Sequence, residues 1–133
     1  MVLHDESFVR LVRARDAIHS RYGEPLSLDQ LAREAALSPF HFLRLFRRAF
    51  GETPHQYLTR VRIEAAKRLL LDDVPVTDVC FEVGFQSLGS FSALFARRVG
   101  SPPTTFRRRV HAFAFGRQRA LIPCCYLRAF SQF

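Results

Sequence analysis

Residues 76–100 read VTDVCFEVGFQSLGSFSALFARRVG, and they decide the fold because residues 28–51, LDQLAREAALSPFHFLRLFRRAFG, carry the same pattern. Positions correspond at an offset of 48 up to Phe85 and, after one insertion at Gln86, at an offset of 49. Each copy holds a short apolar stripe at helical spacing, a brief break, and a serine that can cap a second helix. Helices joined by so short a break are typical of a helix-turn-helix, so the sequence predicts two such lobes.

The stretches around the two copies are also helical in pattern. One helix is predicted from about residue 5 to 22, and another begins at Thr53-Pro54-His55-Gln56 and reaches Leu71. No alternating pattern predicts a strand. The expected fold class is therefore all-α, with two helix-turn-helix subdomains joined by a long connecting helix. A generic helical bundle is the alternative, but caps, turn length and apolar positions recur together, which favours the repeat.

This pattern divides the chain into five segments. They are the N-terminal helix of the first lobe (1–26), the first helix-turn-helix (27–53), the connecting helix (54–75), the second helix-turn-helix with a closing helix (76–109), and an apolar, basic tail of unknown role (110–133). The helical periods predict which side chains pack inward. In the second, third and sixth helices these are Leu28, Leu31, Ala32 and Ala35; Phe42, Leu45, Phe46, Ala49 and Phe50; and Phe91, Leu94, Phe95 and Val99.

The net charge of +8 is unevenly distributed along the chain. All 12 acidic residues lie at or before Glu82, so every basic residue after that position adds to the excess. Such a surface suits a polyanion, and on charge alone it also suits an anionic membrane surface or an acidic partner. No run of about 20 apolar residues and no signal-peptide pattern is found, so a cytoplasmic protein that does not insert into a membrane is expected.

The outward face of the third helix carries side chains that suit a DNA major groove. Phe40 and Leu43 can meet thymine methyl groups, while Arg44 can reach guanine O6 and N7. The 18-residue connecting helix, about 27 Å long, would hold the two lobes near the roughly 34 Å of one DNA turn. Double-stranded promoter DNA is the expected partner. The candidate phosphate contacts are His41, Arg47, Arg48, His55, Gln56, Ser90, Arg97 and Arg107.

These residues resemble the DNA-binding domain of the AraC/XylS family over about 80 residues, from Leu28 to Arg109. The resemblance rests on Leu31-Ala32, Ser38, Leu45-Phe46-Arg47, Gly51, Pro54-His55-Gln56-Tyr57-Leu58, Arg62, Ala66, Leu69-Leu70, Val79, Val83-Gly84-Phe85, Ser87, Phe91-Ser92, Phe95, Gly100, Ser101-Pro102 and Phe106-Arg107. It implies a transcription regulator, since the members of this family are transcription regulators and most of them are activators that contact RNA polymerase. The chain then looks like the short multiple-antibiotic-resistance type, or like the C-terminal half of an effector-responsive regulator.

The resemblance also implies which side chains meet bases. Phe40, Leu43 and Arg44 fall at the family's base-reading positions in the first lobe, and the second lobe offers Leu88, Gly89, Ser92 and Ala93. Ala93 stands where many relatives have arginine, so the second lobe is expected to act mainly through phosphates and DNA shape. Ala36 replaces a common turn glycine, which is harmless if its backbone keeps a helical dihedral angle.

Other classes of function find little support in the residues. No nucleophile-base pairing, phosphate-binding glycine loop or paired carboxylates in a recognisable context indicate an enzyme, and no cofactor is expected. Cys124 and Cys125 with His111 lack an evident fourth metal ligand, so no metal site is expected, and Cys80 is predicted to fill core space. The expected state on DNA is a monomer, with a dimer through the apolar tail as the alternative.

Overall fold

The computed structural model describes residues 5–116, and in that range the chain forms seven helices and no strand. The helices are α1 (Asp5–Arg21), α2 (Leu28–Glu34), α3 (Pro39–Phe50), α4 (Pro54–Leu71), α5 (Val76–Glu82), α6 (Leu88–Val99) and α7 (Pro103–Gly116). The all-α fold is confirmed, and α2–α3 and α5–α6 are the two predicted helix-turn-helix pairs. Across these described helices, none combines the length and apolarity that a membrane span requires.

Side-chain caps set the starts of four helices, as their sequences predict. Ser27 Oγ accepts from the Gln30 amide while Gln30 Oε1 accepts from the Ser27 amide, which completes a capping box at α2. Thr53 and Gln56 form the same reciprocal pair at α4. Ser38 and Ser87 cap α3 and α6. Each cap satisfies backbone N–H groups that have no partner within the helix, so these boundaries follow from local chemistry.

The turn inside each lobe closes with the same backbone motif. In the first lobe the Leu37 amide donates to Ala32 O and the Ala36 amide to Arg33 O, both at 3.0 Å. This is a Schellman arrangement, which requires a left-handed residue after the helix. Ala36 supplies it with φ +54°, and Gly84 supplies it in the second lobe with φ +97°. The condition under which alanine would be harmless here, a helical dihedral angle at Ala36, is therefore not met, because the hydrogen bonds of the turn demand positive φ.

The chain divides into two compact units, with the boundary between Arg62 and Ile63 inside α4. The first unit packs α1, α2, α3 and the first half of α4 around Phe42 and Phe46. The Phe46 ring lies 5.5 Å from that of Phe42 and 5.6 Å from that of Tyr57, both in edge-on geometry. Arg62 donates to Tyr22 O and Glu24 O, and so binds the chain that leaves α1. These buried aromatic rings contribute to the stability of this unit together with the aliphatic residues packed around them.

The second unit repeats the aromatic core with its own residues. Phe91 packs against Phe85 and Phe95, and Phe95 packs edge-on against Phe106 of α7 at 5.5 Å. Cys80 is fully buried in this unit, as predicted, and burial raises the pKa of its thiol. The buried residues described in this unit are Ile63, Ala65, Ala66, Lys67, Leu70, Val79, Cys80, Val83, Phe91, Phe95, Pro103 and Phe106.

Three predicted features of the packing differ in the structure. Leu28 is exposed because it lines an open groove of about 430 Å³ with Leu31, Leu43 and Leu58. Four of the predicted inward residues, namely Ala49, Phe50, Leu94 and Val99, are only partly buried. Helix α7 continues past Arg109 to Gly116, so the segment described as a tail begins in helix. Cys124 and Cys125 lie outside the described residues.

Candidate nucleic-acid interface

Helix α3 is held so that its charged face points away from the core. Phe42, Leu45 and Phe46 are buried and occupy one side of the helix. The helical period therefore turns Phe40, His41, Arg44, Arg47 and Arg48 outward, and all five are exposed. Leu43 is partly buried because it also lines the groove beside Leu28. The structure brings the predicted contacts of the first lobe together on one face of one helix.

The side chains on this face are chemically available. Arg44, Arg47 and Arg48 are exposed and pair with no carboxylate among the described residues. Phe40 is 81% exposed, the largest value among the exposed large hydrophobic residues of the described chain. A guanidinium one turn from an exposed aromatic ring matches the guanine edge and thymine methyl that a major groove presents. This face can contact both bases and phosphates.

Helix α6 presents a different surface in the same framework. Phe91 and Phe95 bury its inner side, and its outer side carries Leu88, which is 41% exposed, together with Gly89 and Ala93. Ser90 is exposed and Ser92 partly buried. A Cβ atom at Gly89 would meet only Ser87 Oγ, at 3.8 Å, so no contact within the described chain requires glycine there. Arg97 and Arg98 are exposed in the last turn.

The start of α4 brings two more predicted contacts to the surface. His55 and Gln56 are both exposed in the first turn. Gln56 Oε1 is already bonded to the Thr53 amide at 2.9 Å, so the oxygen serves the cap and the side-chain amide group remains as a donor. Donors at a helix N-terminus suit a phosphate, because the unpaired backbone N–H groups there also attract anions.

Arg107 is occupied within the protein, although it is among the predicted phosphate contacts. Its guanidinium donates to the backbone oxygen and the carboxylate of Asp73. This hydrogen bond and charge lower the pKa of the Asp73 carboxyl group, and His111 adds a smaller attraction. His111 Nε2 lies 3.2 Å from Leu70 O and 3.6 Å from the Asp73 carboxylate. The cluster connects α7 to the end of α4, so its first role is structural.

Three exposed arginines of the second unit are not among the predicted contacts. Arg98, Arg108 and Arg109 are exposed and make no ion pair with a described residue. Alignment of the two lobes singles out Arg109, because it occupies the position equivalent to Arg60. No group of three His, Cys, Asp or Glu side chains within the described residues is placed to hold a metal ion. The combination of His111 with Cys124 and Cys125 falls partly outside that range.

The comparisons with known proteins agree with this geometry. A family model described as a helix-turn-helix domain matches residues 31–109. The chain is 32% identical over 96 residues to the uncharacterized HTH-type transcriptional regulator YobQ of Bacillus subtilis (strain 168), covering 71% of the chain and 40% of that protein. It is 31% identical over 105 residues to the bifunctional transcriptional activator/DNA repair enzyme AdaA of the same organism, covering 78% of the chain and 49% of that protein. The chain thus spans less than half the length of these relatives.

A solved structure supports the same assignment. The DNA-binding domain of AdpA, a global transcriptional factor in complex with a target DNA, superimposes with a TM-score of 0.75 and 31% sequence identity. The match covers 77% of the chain and 94% of that domain. The family model and the relatives each span enough of the chain to establish the family. The chain belongs to the AraC/XylS family of helix-turn-helix transcriptional regulators and carries an AraC-type DNA-binding domain.

Proposed function

We propose that this chain is a sequence-specific DNA-binding regulator of transcription that binds an asymmetric promoter site. In this proposal α3 and α6 enter adjacent major-groove segments. The observation that carries it is the outward face of α3, where the exposed ring of Phe40 lies one turn from the guanidinium of Arg44, which makes no ion pair with a described residue. Neither side chain contributes to the core, so a ligand outside the chain best accounts for their chemistry.

The two recognition helices have unequal roles in this proposal. Phe40, Leu43 and Arg44 correspond through the internal offset to Gly89, Ser92 and Ala93. The aromatic ring, the aliphatic chain and the guanidinium of α3 are thus replaced in α6 by a hydrogen atom, a hydroxymethyl and a methyl group. A bidentate contact to a base needs a forked or amide side chain, and α6 has none before Arg97. We infer that α3 selects the sequence and that α6 mainly anchors the protein to the backbone.

We infer the direction of control from the relatives. One of them is described as a transcriptional activator, which supports activation. RNA polymerase as a protein partner stays a prediction. Because the chain covers 40% and 49% of two relatives, a role as the DNA-binding half of a longer effector-responsive regulator is the second candidate. The absence of enzymatic activity and of a cofactor stays a prediction, as does binding as a monomer.

A salt-dependent gel-shift titration tests the proposal. The chain is titrated against a duplex selected from a random pool and against the same duplex with its sequence scrambled, at several salt concentrations. The proposal expects the selected duplex to bind tighter by a factor of about 10³ or more, with affinity falling steeply as salt rises. Equal binding to both duplexes would support a non-specific basic protein for acidic partners or membrane surfaces and would refute sequence-specific control.

A further inference from the structure

In the first lobe, a carboxylate neutralises an arginine two turns into the helix that follows the helix-turn-helix. Arg60 lies 2.6 Å from Glu52 and also donates its Nε–H to that carboxylate at 2.8 Å. Its guanidinium stacks over the Tyr57 ring at 4.6 Å. Both side chains of the ion pair are about three-quarters buried, so the charge of Arg60 is satisfied within the protein.

The internal repeat places a different set of residues at the same positions in the second lobe. At the offset of 49, Arg60 corresponds to Arg109, Tyr57 to Phe106, and Glu52 to Ser101. Both lobes therefore have an arginine at this position, but only the first lobe has the carboxylate that pairs with it. Arg109 is exposed and has no ion-pair partner among the described residues. No acidic residue occurs in the sequence after Glu82, so the undescribed C-terminal segment has no acidic side chain to replace the lost partner.

Other arginines also occupy different positions in the two lobes. At the offset of 49, the recognition-helix arginines Arg44 and Arg47 correspond to alanines. Arg98 replaces the partly buried Ala49, and Arg108 replaces the buried Thr59. Both of these added arginines are exposed. Compared with the first lobe, the second lobe therefore has fewer arginines on the outward face of its recognition helix and more at the end of α6 and on α7.

From this pattern we infer that Arg109 binds a phosphate of the DNA backbone, as a contact that the loss of the Glu52 counterpart makes available. The inference rests on the proposed function, and it adds a site outside both recognition helices. Arg109 lies on α7, so it is not part of the α6 face that would meet base edges. A planar guanidinium with free donors suits a phosphate because it can offer two parallel hydrogen bonds.

The number of phosphates bound can be read from the salt dependence of affinity. Each contact to duplex DNA releases condensed counterions and contributes about 0.9 to the slope of log affinity against log salt concentration. Arg109→Gln is therefore expected to reduce the slope by about 0.9 and the affinity at 0.15 M salt by about 5-fold. The loss is expected to be equal on selected and scrambled duplexes, since both carry the same backbone.

The matched control is Arg13→Gln, which removes the same charge from an exposed arginine of α1 that makes no ion pair with a described residue. Because Arg13 belongs to no proposed contact, this variant is expected to keep the wild-type slope. A circular-dichroism melt of both variants shows whether either change alters folding. If Arg109→Gln keeps the wild-type slope while remaining folded, the phosphate assignment is overturned, and a contact of Arg109 with an acidic protein would be the alternative.

A second variant restores the missing carboxylate. Ser101→Glu places an acid where the first lobe has Glu52, so it is expected to engage Arg109 and reproduce the 5-fold loss, whereas Ser101→Gln is expected to change little. In the Arg109→Gln background, Ser101→Glu is expected to have no further effect. An equal loss in both backgrounds would show general repulsion and contradict the inference. Failure of the proposed function looks different, because wild-type protein would then bind selected and scrambled duplexes alike.

Discussion

Replacement of Ala36 by glycine is expected to stabilise the protein. Ala36 holds φ at +54° so that its amide and that of Leu37 can reach the last carbonyls of α2. An L-residue with a Cβ atom is strained in this region, whereas glycine is not. In the second lobe, Gly84 occupies the equivalent position of the turn and also has positive φ. The two lobes therefore provide a matched pair of sites for reciprocal exchange.

The magnitude follows from two opposing contributions. Left-handed backbone costs a residue with a Cβ atom about 1–2 kcal/mol. Glycine returns about 0.4–1 kcal/mol of this through its greater freedom in the unfolded chain. Ala36→Gly should then raise the free energy of unfolding by about 0.5–1 kcal/mol. Gly84→Ala should lower the free energy of unfolding by a similar or larger amount, because it introduces the strain that Ala36 already has.

Urea unfolding followed by far-UV circular dichroism measures both changes. The expected result is a higher midpoint concentration for Ala36→Gly and a lower one for Gly84→Ala, with the denaturant slope unchanged in both. If Ala36→Gly leaves the midpoint in place or lowers it, the left-handed conformation of Ala36 would be refuted as a source of strain. The double variant should lie close to the sum of the single changes, since the turns belong to different units.

Three further predictions address the interface and its supports. Arg44→Ala should reduce the discrimination between bases at particular positions of the site by about 1–3 kcal/mol, whereas Arg48→Ala should weaken binding to all duplexes alike. Gel shifts on single-base variants of the site measure both effects. If Arg44→Ala weakens binding to all variants equally, Arg44 does not read bases. Ala93→Ser should leave the order of preferred sequences unchanged in a selection experiment, and a new preference would show that α6 reads bases. Arg107 lowers the pKa of Asp73, so this pair stabilises the folded protein above the ordinary carboxyl pKa, and the stabilisation is lost as the pH falls through the lowered pKa. Arg107→Gln should therefore raise the pKa of Asp73 in an NMR titration. An unchanged titration would exclude the pairing in solution.

The features that were predictable from sequence are those governed by local chemistry. Ser27, Ser38, Thr53 and Ser87 cap helices where the sequence places them, because a cap depends on a side chain and an amide three residues away. The inward aromatic residues follow for a similar reason, since the helical period alone sets which residues share a face. The bounds of α4, Pro54–Leu71, also agree with the prediction, because the Thr53 cap sets the start of this helix.

The features that escaped the sequence depend on residues far apart in the chain or on backbone geometry. Arg107 and Asp73 are separated by 34 residues, so no local pattern announces their hydrogen bonds. The exposure of Leu28 depends on an open groove that three helices border, and a periodic stripe does not show which of its members lie at the edge. The positive φ of Ala36 was hidden because alanine rarely adopts it.

Some of the candidate contacts could be predicted from one helix alone, and others could not. Helical phase correctly turned Phe40 and Arg44 outward, because both lie on the same helix as the core residues that orient them. Arg109 required a comparison of charge between the two lobes. Its importance appears only when Glu52 and Ser101 are recognised as equivalent positions, and this equivalence depends on the offset after the insertion at Gln86.

A hydroxyl-radical footprint on a duplex selected from a random pool tests the central claim most directly, because it reports where the chain lies on the DNA without assuming the sequence. The account predicts two protected segments whose centres are about one helical turn apart, with sequence preference concentrated in the segment that Arg44→Ala disturbs. Uniform protection along the duplex, or a single protected segment that Arg44→Ala leaves unaltered, would contradict it.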